Sequence, residues 1–202
     1  MIAIIDYGAG NIFSVKNALD HLGVESKLTD RKEDLRTADA LILPGVGAFP
    51  WAMNMLKLSG LVDEIKEQAK FKPFLGIWLG MQLLFEKSYE FEECSGLGLI
   101  KGYVDKMNEP DLVIPHMGWN KLEYNHGCPL FDGLSNEEYV YFVHSYKAFC
   151  EDQALYAYSE YGHKVAAVVG NGSNVFGCQF HPEKSGRTGL TILKNFAGLA
   201  GR

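Results

Sequence analysis

Long apolar runs are missing from this 202-residue chain. With them goes any segment able to span a bilayer, which takes about 20 consecutive apolar residues. The N-terminal stretch MIAIIDYGAGN has neither the basic start nor the extended apolar core of a secretory signal. A basic excess is missing too: 19 Lys and Arg face 25 Asp and Glu, a net charge of −6. That balance leaves no electrostatic footprint for nucleic acid. The four cysteines (Cys94, Cys128, Cys150 and Cys178) make no CxxC, and the six histidines make no HExxH. Neither a zinc site, a redox pair nor a structural disulfide is expected, so the thiols are read as free in a soluble, cytoplasmic protein. No GxxxxGK[ST] phosphate loop occurs. No metal and no cofactor are implied, and neither a membrane nor a nucleic acid is expected as a partner.

What is present is a rhythm of short apolar runs alternating with helical periodicity, the pattern of an α/β fold built on a parallel sheet. IAII at 2–5 reads as a buried strand, followed by the turn Asp6-Tyr7-Gly8-Ala9-Gly10-Asn11. Ile12, Val15, Leu19 and Leu22 then mark one face of a helix that Gly23 ends. ALIL at 40–43 is a second strand; a helical stretch from Trp51 to Ala69 follows, broken near Gly60. Pro73–Ile77 is a third strand, running into a helix that carries Leu79, Leu83, Leu84 and Phe85. From about 97 to 180 the runs LGLI, YVYFV, VAAVV and VFGCQF read as strands of an antiparallel or mixed region. Ile192, Leu193, Phe196 and Leu199 mark a closing amphipathic helix. No linker, repeat or low-complexity segment divides the chain, so residues 1–202 are expected to form one domain: a mostly parallel central sheet flanked by helices, with an added antiparallel or mixed strand region.

Three stretches carry chemistry. Gly76-Ile77-Trp78-Leu79-Gly80 places glycines two residues either side of a central residue at a strand-to-helix turn. This is the spacing of a nucleophile elbow, which exposes the central side chain beside a backbone N–H able to meet an oxyanion. The centre is Trp78, whose indole has no ionisable nucleophile. An ordinary junction with a core tryptophan fits the same residues. His181-Pro182-Glu183 offers an imidazole and a carboxylate two positions apart, on one side of the chain if that chain is extended. Such a pair is the base and orienting acid of a triad, although a plain His-Pro-Glu turn reads the same way. Pro44-Gly45-Val46-Gly47 follows a buried strand, where glycines let amides approach a ligand. By itself it reads as a strand-terminal turn. The Gly8–Gly10 turn is no dinucleotide fingerprint, because Phe13 stands where a third glycine or alanine belongs.

Taken together, DYGAGN, SVKNAL, PGVGAF, GI-x-LGMQLLFE, PHMGWN (115–120), YFVHSY (141–146) and GCQFHPEKS (177–185) resemble the class I, triad-type glutamine amidotransferases. Within these, DYGAGN, PHMGWN and FVHSY resemble the branch of glutaminase subunits of imidazole glycerol phosphate synthase. The likeness runs through essentially the whole chain in the same order. It implies hydrolysis of glutamine through a glutamyl thioester on a cysteine. The ammonia would pass to a (βα)8-barrel cyclase, the other half of a heterodimer, in histidine biosynthesis.

Position by position, the resemblance puts Trp78 at the nucleophile site, His181 at the base site and Glu183 at the orienting site. It puts the amides of Val46, Gly47 and Leu79 at the oxyanion hole, and Gln82, Glu90, Ser145 and Tyr146 around the substrate glutamine. Met117, Trp119 and Asn120 fall on the segment facing the cyclase. The departure at 78 implies little or no glutaminase activity, with an indole intruding on the glutamine pocket. Cys178 is expected to be a buried apolar residue rather than a substitute nucleophile. Trp51 fits either a helix-face aromatic or an altered pocket rim. His21, His126 and His163 are expected at the surface or as caps, and His144 as either structural or substrate-facing. Two other functions fit: a non-catalytic scaffold for the barrel, and a glutaminase feeding a sugar-modifying synthase.

Overall fold

The computed structural model describes residues 1–108, 111–124 and 127–200; His126 lies outside the described residues. The first part of the chain alternates regularly: β1 (Ile2–Ile5), α1 (Ile12–His21), β2 (Ser26–Thr29), α2 (Lys32–Thr37), β3 (Ala40–Leu43), α3 (Phe49–Leu58), α4 (Val62–Gln68), β4 (Phe74–Ile77) and α5 (Leu79–Gln82). The remainder is strand-rich: β5 (Phe85–Ser88), β6 (Cys94–Ser95), β7 (Ile100–Lys106), β8 (His116–Lys121), β9 (Glu123–Tyr124), β10 (Tyr139–His144), β11 (Tyr146–Phe149), β12 (Leu155–Tyr161), β13 (His163–Gly170) and β14 (Val175–Cys178). Helix α6 (Gly186–Ala197) closes it.

An eight-stranded sheet in the order β2-β1-β3-β4-β14-β13-β12-β9 forms the centre. From β2 to β14 the pairings are parallel; from β14 to β9 they are antiparallel. The α/β class with a mostly parallel sheet and extra antiparallel strands is therefore the one observed. Strands β1, β3 and β4 are buried on both faces, which is why they read as unbroken apolar runs. Alternation divides their side chains between two cores: Ala3, Ile5, Leu41, Leu43 and Phe74 enter one, and Ile2, Ile4, Ala40, Ile42 and Leu75 the other. Phe49, Phe74, Phe85, Phe142, Phe180 and Phe196 are sealed from solvent, each contributing about 2–3 kcal/mol by burial. No helix among the described residues is long and apolar enough to cross a membrane.

Several boundaries differ from the sequence reading. The break expected near Gly60 is present, with φ 71° between α3 and α4, but α3 starts two residues earlier, at Phe49. The helix after β4 is a single turn, and Phe85 opens strand β5 instead of continuing it. LGLI is mostly not a strand. The amides of Leu97 and Leu99 bond the carbonyls of Leu83 and Leu84, and only Ile100 begins β7. VFGC belongs to the central sheet, parallel to β4. The mixed region is instead a four-stranded sheet, β11-β7-β5-β6, plus the β10–β8 hairpin-like pair. Strand β2 and helix α2 went unread because an edge strand spelled SKLT and a six-residue helix present no apolar run.

Candidate active site

Three neighbouring parallel strands, β3, β4 and β14, end on the same edge of the sheet, and the three chemical motifs follow them. Ligands of open α/β sheets bind at that carboxyl edge. At the end of β4, Trp78 takes φ 55° and ψ −111°, a rare conformation for a bulky side chain. Its N–H bonds Cys178 O at 2.7 Å, extending the β4–β14 ladder through the bend. The flanking glycines are steric necessities. A Cβ on Gly76 would lie 2.6 Å from Gly80 O, and one on Gly80 only 1.8 Å from Leu43 O. The Pro44–Gly47 turn sits directly on this elbow, since a Cβ on Gly45 would lie 2.7 Å from Gly80 N. The two turns are thus in backbone contact. The Leu79 amide, in the first turn of α5, has no intrahelical acceptor.

His181 follows β14. Its Nδ1 lies 2.9 Å from Glu183 Oε1, and both side chains are buried. The carboxylate accepts the Nδ1–H, which leaves Nε2 as the nitrogen with a free lone pair. Pro182–Lys184 is a 3-10 turn, so the extended-chain geometry expected for this pair does not occur. The turn brings the two side chains together by its own curvature. Ser185 clips it in place: Oγ donates to His181 O at 2.7 Å and accepts from Tyr141 N at 3.0 Å.

The indole of Trp78 stacks on the His181 ring, with centroids 5.6 Å apart and planes inclined by 23°. Its Nε1 donates to Val143 O at 2.7 Å. The ring therefore lies across the cleft towards β10 and not away from it. The cleft, about 260 Å³, is lined by Gly47, Trp78, Gln82, Glu90, Pro115, Val143, His144, Ser145 and Tyr146.

Residues 3–198 match the family described as Glutamine amidotransferase class-I. The chain belongs to that family. A Bacillus cereus (strain B4264) protein named imidazole glycerol phosphate synthase subunit HisH is 52% identical over 200 residues, covering 98% of this chain and 95% of the relative. A Bacillus mycoides (strain KBAB4) protein of the same name is also 52% identical, with the same coverage. Among solved structures, one described as a glutamine amidotransferase superposes with a TM-score of 0.78 at 21% identity, covering 100% of both chains. The structure of PurLQS from Thermotoga maritima gives 0.75 at 21% identity, covering 98% of this chain and 97% of that one.

In this class I amidotransferase, Gln82, Glu90, Ser145 and Tyr146 meet around one cleft, although they come from α5, the β5–β6 connection and the β10–β11 corner. Glu90 Oε2 accepts Phe49 N at 2.7 Å, and burial holds its carboxyl above the usual range despite that bond. Met117 and Trp119 are 61% and 55% exposed on β8, apart from the cleft residues, and Trp119 meets Tyr141 edge-on. Asn120 turns inward instead, to His116. Trp51 is 48% exposed on α3, yet its ring would stand 3.6 Å from a Cβ on Gly47, so it covers the Pro44–Gly47 turn. Cys178 is sealed in the core and burial pushes its thiol far up.

Val143 and Gln179 escaped the sequence reading as site residues, whereas His144, expected as either structural or substrate-facing, lines the cleft. Val143 contributes a backbone carbonyl, which no side-chain pattern signals. Gln179 had a signal in its place two residues before His181, but its partner Gln82 is 97 positions away. Among the described residues no cluster of acidic, histidine or cysteine side chains could hold a metal.

Proposed function

We propose that this chain, as one domain spanning residues 1–202, is a glutaminase subunit of the imidazole glycerol phosphate synthase type, blocked at its nucleophile position. The observation that carries the reading is the indole of Trp78, held at an elbow with φ 55° and stacked on a histidine that is hydrogen-bonded to a buried glutamate. A cysteine at that position would stand beside His181. Its thiolate would attack the carboxamide carbon of glutamine, and the departing ammonia would take the proton held on the imidazole. Water would then hydrolyse the thioester to glutamate. Amides of Val46, Gly47 and Leu79 would meet the oxyanion. With an indole there, no covalent intermediate forms, and the ring takes space that glutamine needs.

The names of its relatives support histidine biosynthesis as the setting and a (βα)8-barrel cyclase as the partner. Exposed Met117 and Trp119 supply an apolar surface for it. Glutamate release from the Trp78→Cys variant, mixed with a cyclase subunit, tests the proposal against the unaltered chain. A rise of about a thousandfold or more is expected. If neither chain turns glutamine over while both bind the cyclase, the scaffold reading replaces this one.

A further inference from the structure

Two donors converge on the Tyr146 carbonyl. Gln82 Nε2 reaches it at 3.1 Å and His144 Nδ1 at 2.9 Å. The second hydrogen of Gln82 Nε2 goes to Gln179 Oε1 at 3.0 Å. Both neighbours are oxygens that only accept, so the Gln82 amide has one workable orientation. Turned the other way, it would set its oxygen against both. The one polar atom of Gln82 left over is Oε1. Among the described residues it accepts no hydrogen bond, and it is not one of the sealed atoms left without a partner. Gln82 lines the cleft, so Oε1 is the face it offers there.

Gln179 shows the cost of that arrangement. It is fully buried, and its Nε2 has no partner. A buried amide nitrogen left unsatisfied calls for a reason. Here the reason is Gln82, which needs the Gln179 oxygen on its side.

The other donor is braced from further away. With Nδ1–H committed to Tyr146 O, a neutral His144 must accept at Nε2, and His116 Nδ1 stands 3.0 Å from it. His116 then donates at Nδ1, and its Nε2 stands 2.9 Å from Asn120 Oδ1, while Asn120 Nδ2 donates to Glu160 O at 3.4 Å. Two neutral rings satisfy all three bonds once the Asn120 amide is turned end for end, which sets Nδ2 against Nε2 and gives up the long bond to Glu160 O. His116 is also clamped between the Phe142 and Tyr161 rings, at centroid distances of 4.7 and 4.0 Å. A single run of hydrogen bonds therefore joins strand β8 to Gln179, just past the end of β14, through the wall of the cleft.

We infer that Gln179 and the Asn120–His116–His144 relay are positioning residues that lock Gln82 with Oε1 facing the cleft, so that this wall accepts hydrogen bonds and selects a ligand group bearing N–H. Glu90 adds a second acceptor nearby. Such a wall takes a carboxamide or an ammonium and disfavours a carboxylate, which would separate glutamine from its product glutamate. The ligand assignment rests on the glutaminase reading; the locking of Gln82 does not.

Side-chain amide hydrogen exchange of the unaltered, 15N-labelled chain tests the locking. The Gln82 Nε2 protons should exchange about tenfold or more slowly than a free carboxamide. Gln179→Met should remove that protection, and Gln179→Glu, which keeps an oxygen in place, should restore it. Exchange at the free rate in the unaltered chain overturns the proposal. Should Gln179→Met not fold, Asn120→Ala at the half-buried end of the relay takes its place. Protection at Gln82 then falls several-fold if the relay braces the carbonyl, and no change overturns that bracing.

Selection is read in the Trp78→Cys background with a cyclase subunit. Gln179→Met should raise KM for glutamine about tenfold with little change in kcat. An unmoved KM beside lost protection overturns the selective role. Failure of Trp78→Cys itself to turn over counts against the glutaminase reading alone, and exchange then decides the positioning.

Discussion

The parallel part of the central sheet and the separate antiparallel pair β8–β10 are held in different ways. From β2 to β14 the sheet is packed by backbone approach, with glycines at 76, 80 and 177 that leave no room for a side chain. A Cβ on Gly76 would lie 2.6 Å from Gly80 O, for example, and one on Gly177 would meet the Met81 side chain at 2.5 Å. From β8 to β10 the structure is held by side-chain hydrogen bonds and stacked rings around His116 and His144. The site draws on both: a strained elbow and a base from the first, and part of the pocket wall from the second. Close packing fixes atoms where small displacements would ruin a reaction geometry. Polar networks fix orientation, and hence which end of an amide faces a ligand.

Gly80→Ala should separate the two regions most sharply. Its Cβ would meet the Leu43 carbonyl at 1.8 Å, and a loss of about 4 kcal/mol or outright misfolding is expected in a denaturant titration. Acid should next expose the antiparallel side. Burial pushes His144 down to about 3 from its ordinary 6.5, and lowers His116 as well. Their folded pKa values are depressed, so the stability they contribute is complete above pH 6.5 and is lost as pH falls towards the folded values. The His144 ring then costs about 1.4 kcal/mol per pH unit between those two values, and His116 acts in the same direction. Thermal melts between pH 7 and 5 should slope accordingly, and His144→Gln should flatten the slope. An unchanged slope would place the acid sensitivity elsewhere.

Smaller effects complete the contrast. Gly118→Ala on β8 meets no atom within 4 Å, but it must hold φ 137°. A loss of about 1 kcal/mol is expected, from backbone conformation alone. A loss matching that of Gly80→Ala would show that the two regions are not packed differently. Smallest is Glu90→Gln. Burial raises the folded pKa of Glu90 above its ordinary 4.5, so ionisation costs folding stability as pH rises through that value. The amide should give a slightly higher Tm at pH 7, still accepting from Phe49 N, with the advantage gone near pH 4. A lower Tm at pH 7 would mean that the charge itself stabilises the cleft.

Much of the parallel half was legible because strands buried on both faces must be apolar throughout, and because tight turns demand glycine where they occur. IAII, ALIL and PFLGI showed themselves for that reason, as did the elbow around Trp78. The strand-rich half was harder. Short strands with one wet face, such as HMGWNK in β8, mix polar and apolar residues and resemble loops. The His181–Glu183 pairing was legible as a pair but not as a geometry, since a 3-10 turn and a strand can bring the same two side chains together.

The chain by itself determined its class, the order of its parallel strands' motifs and the residue at the elbow, because these depend on local spacing and on which side chains tight turns admit. Only the tertiary structure decided that Trp78 lies across the cleft to Val143, that Gln82 meets Gln179 from 97 positions away and that Trp51 covers Gly47. Those contacts join segments remote in sequence, and their hydrogen-bond directions follow from which groups packing brings face to face.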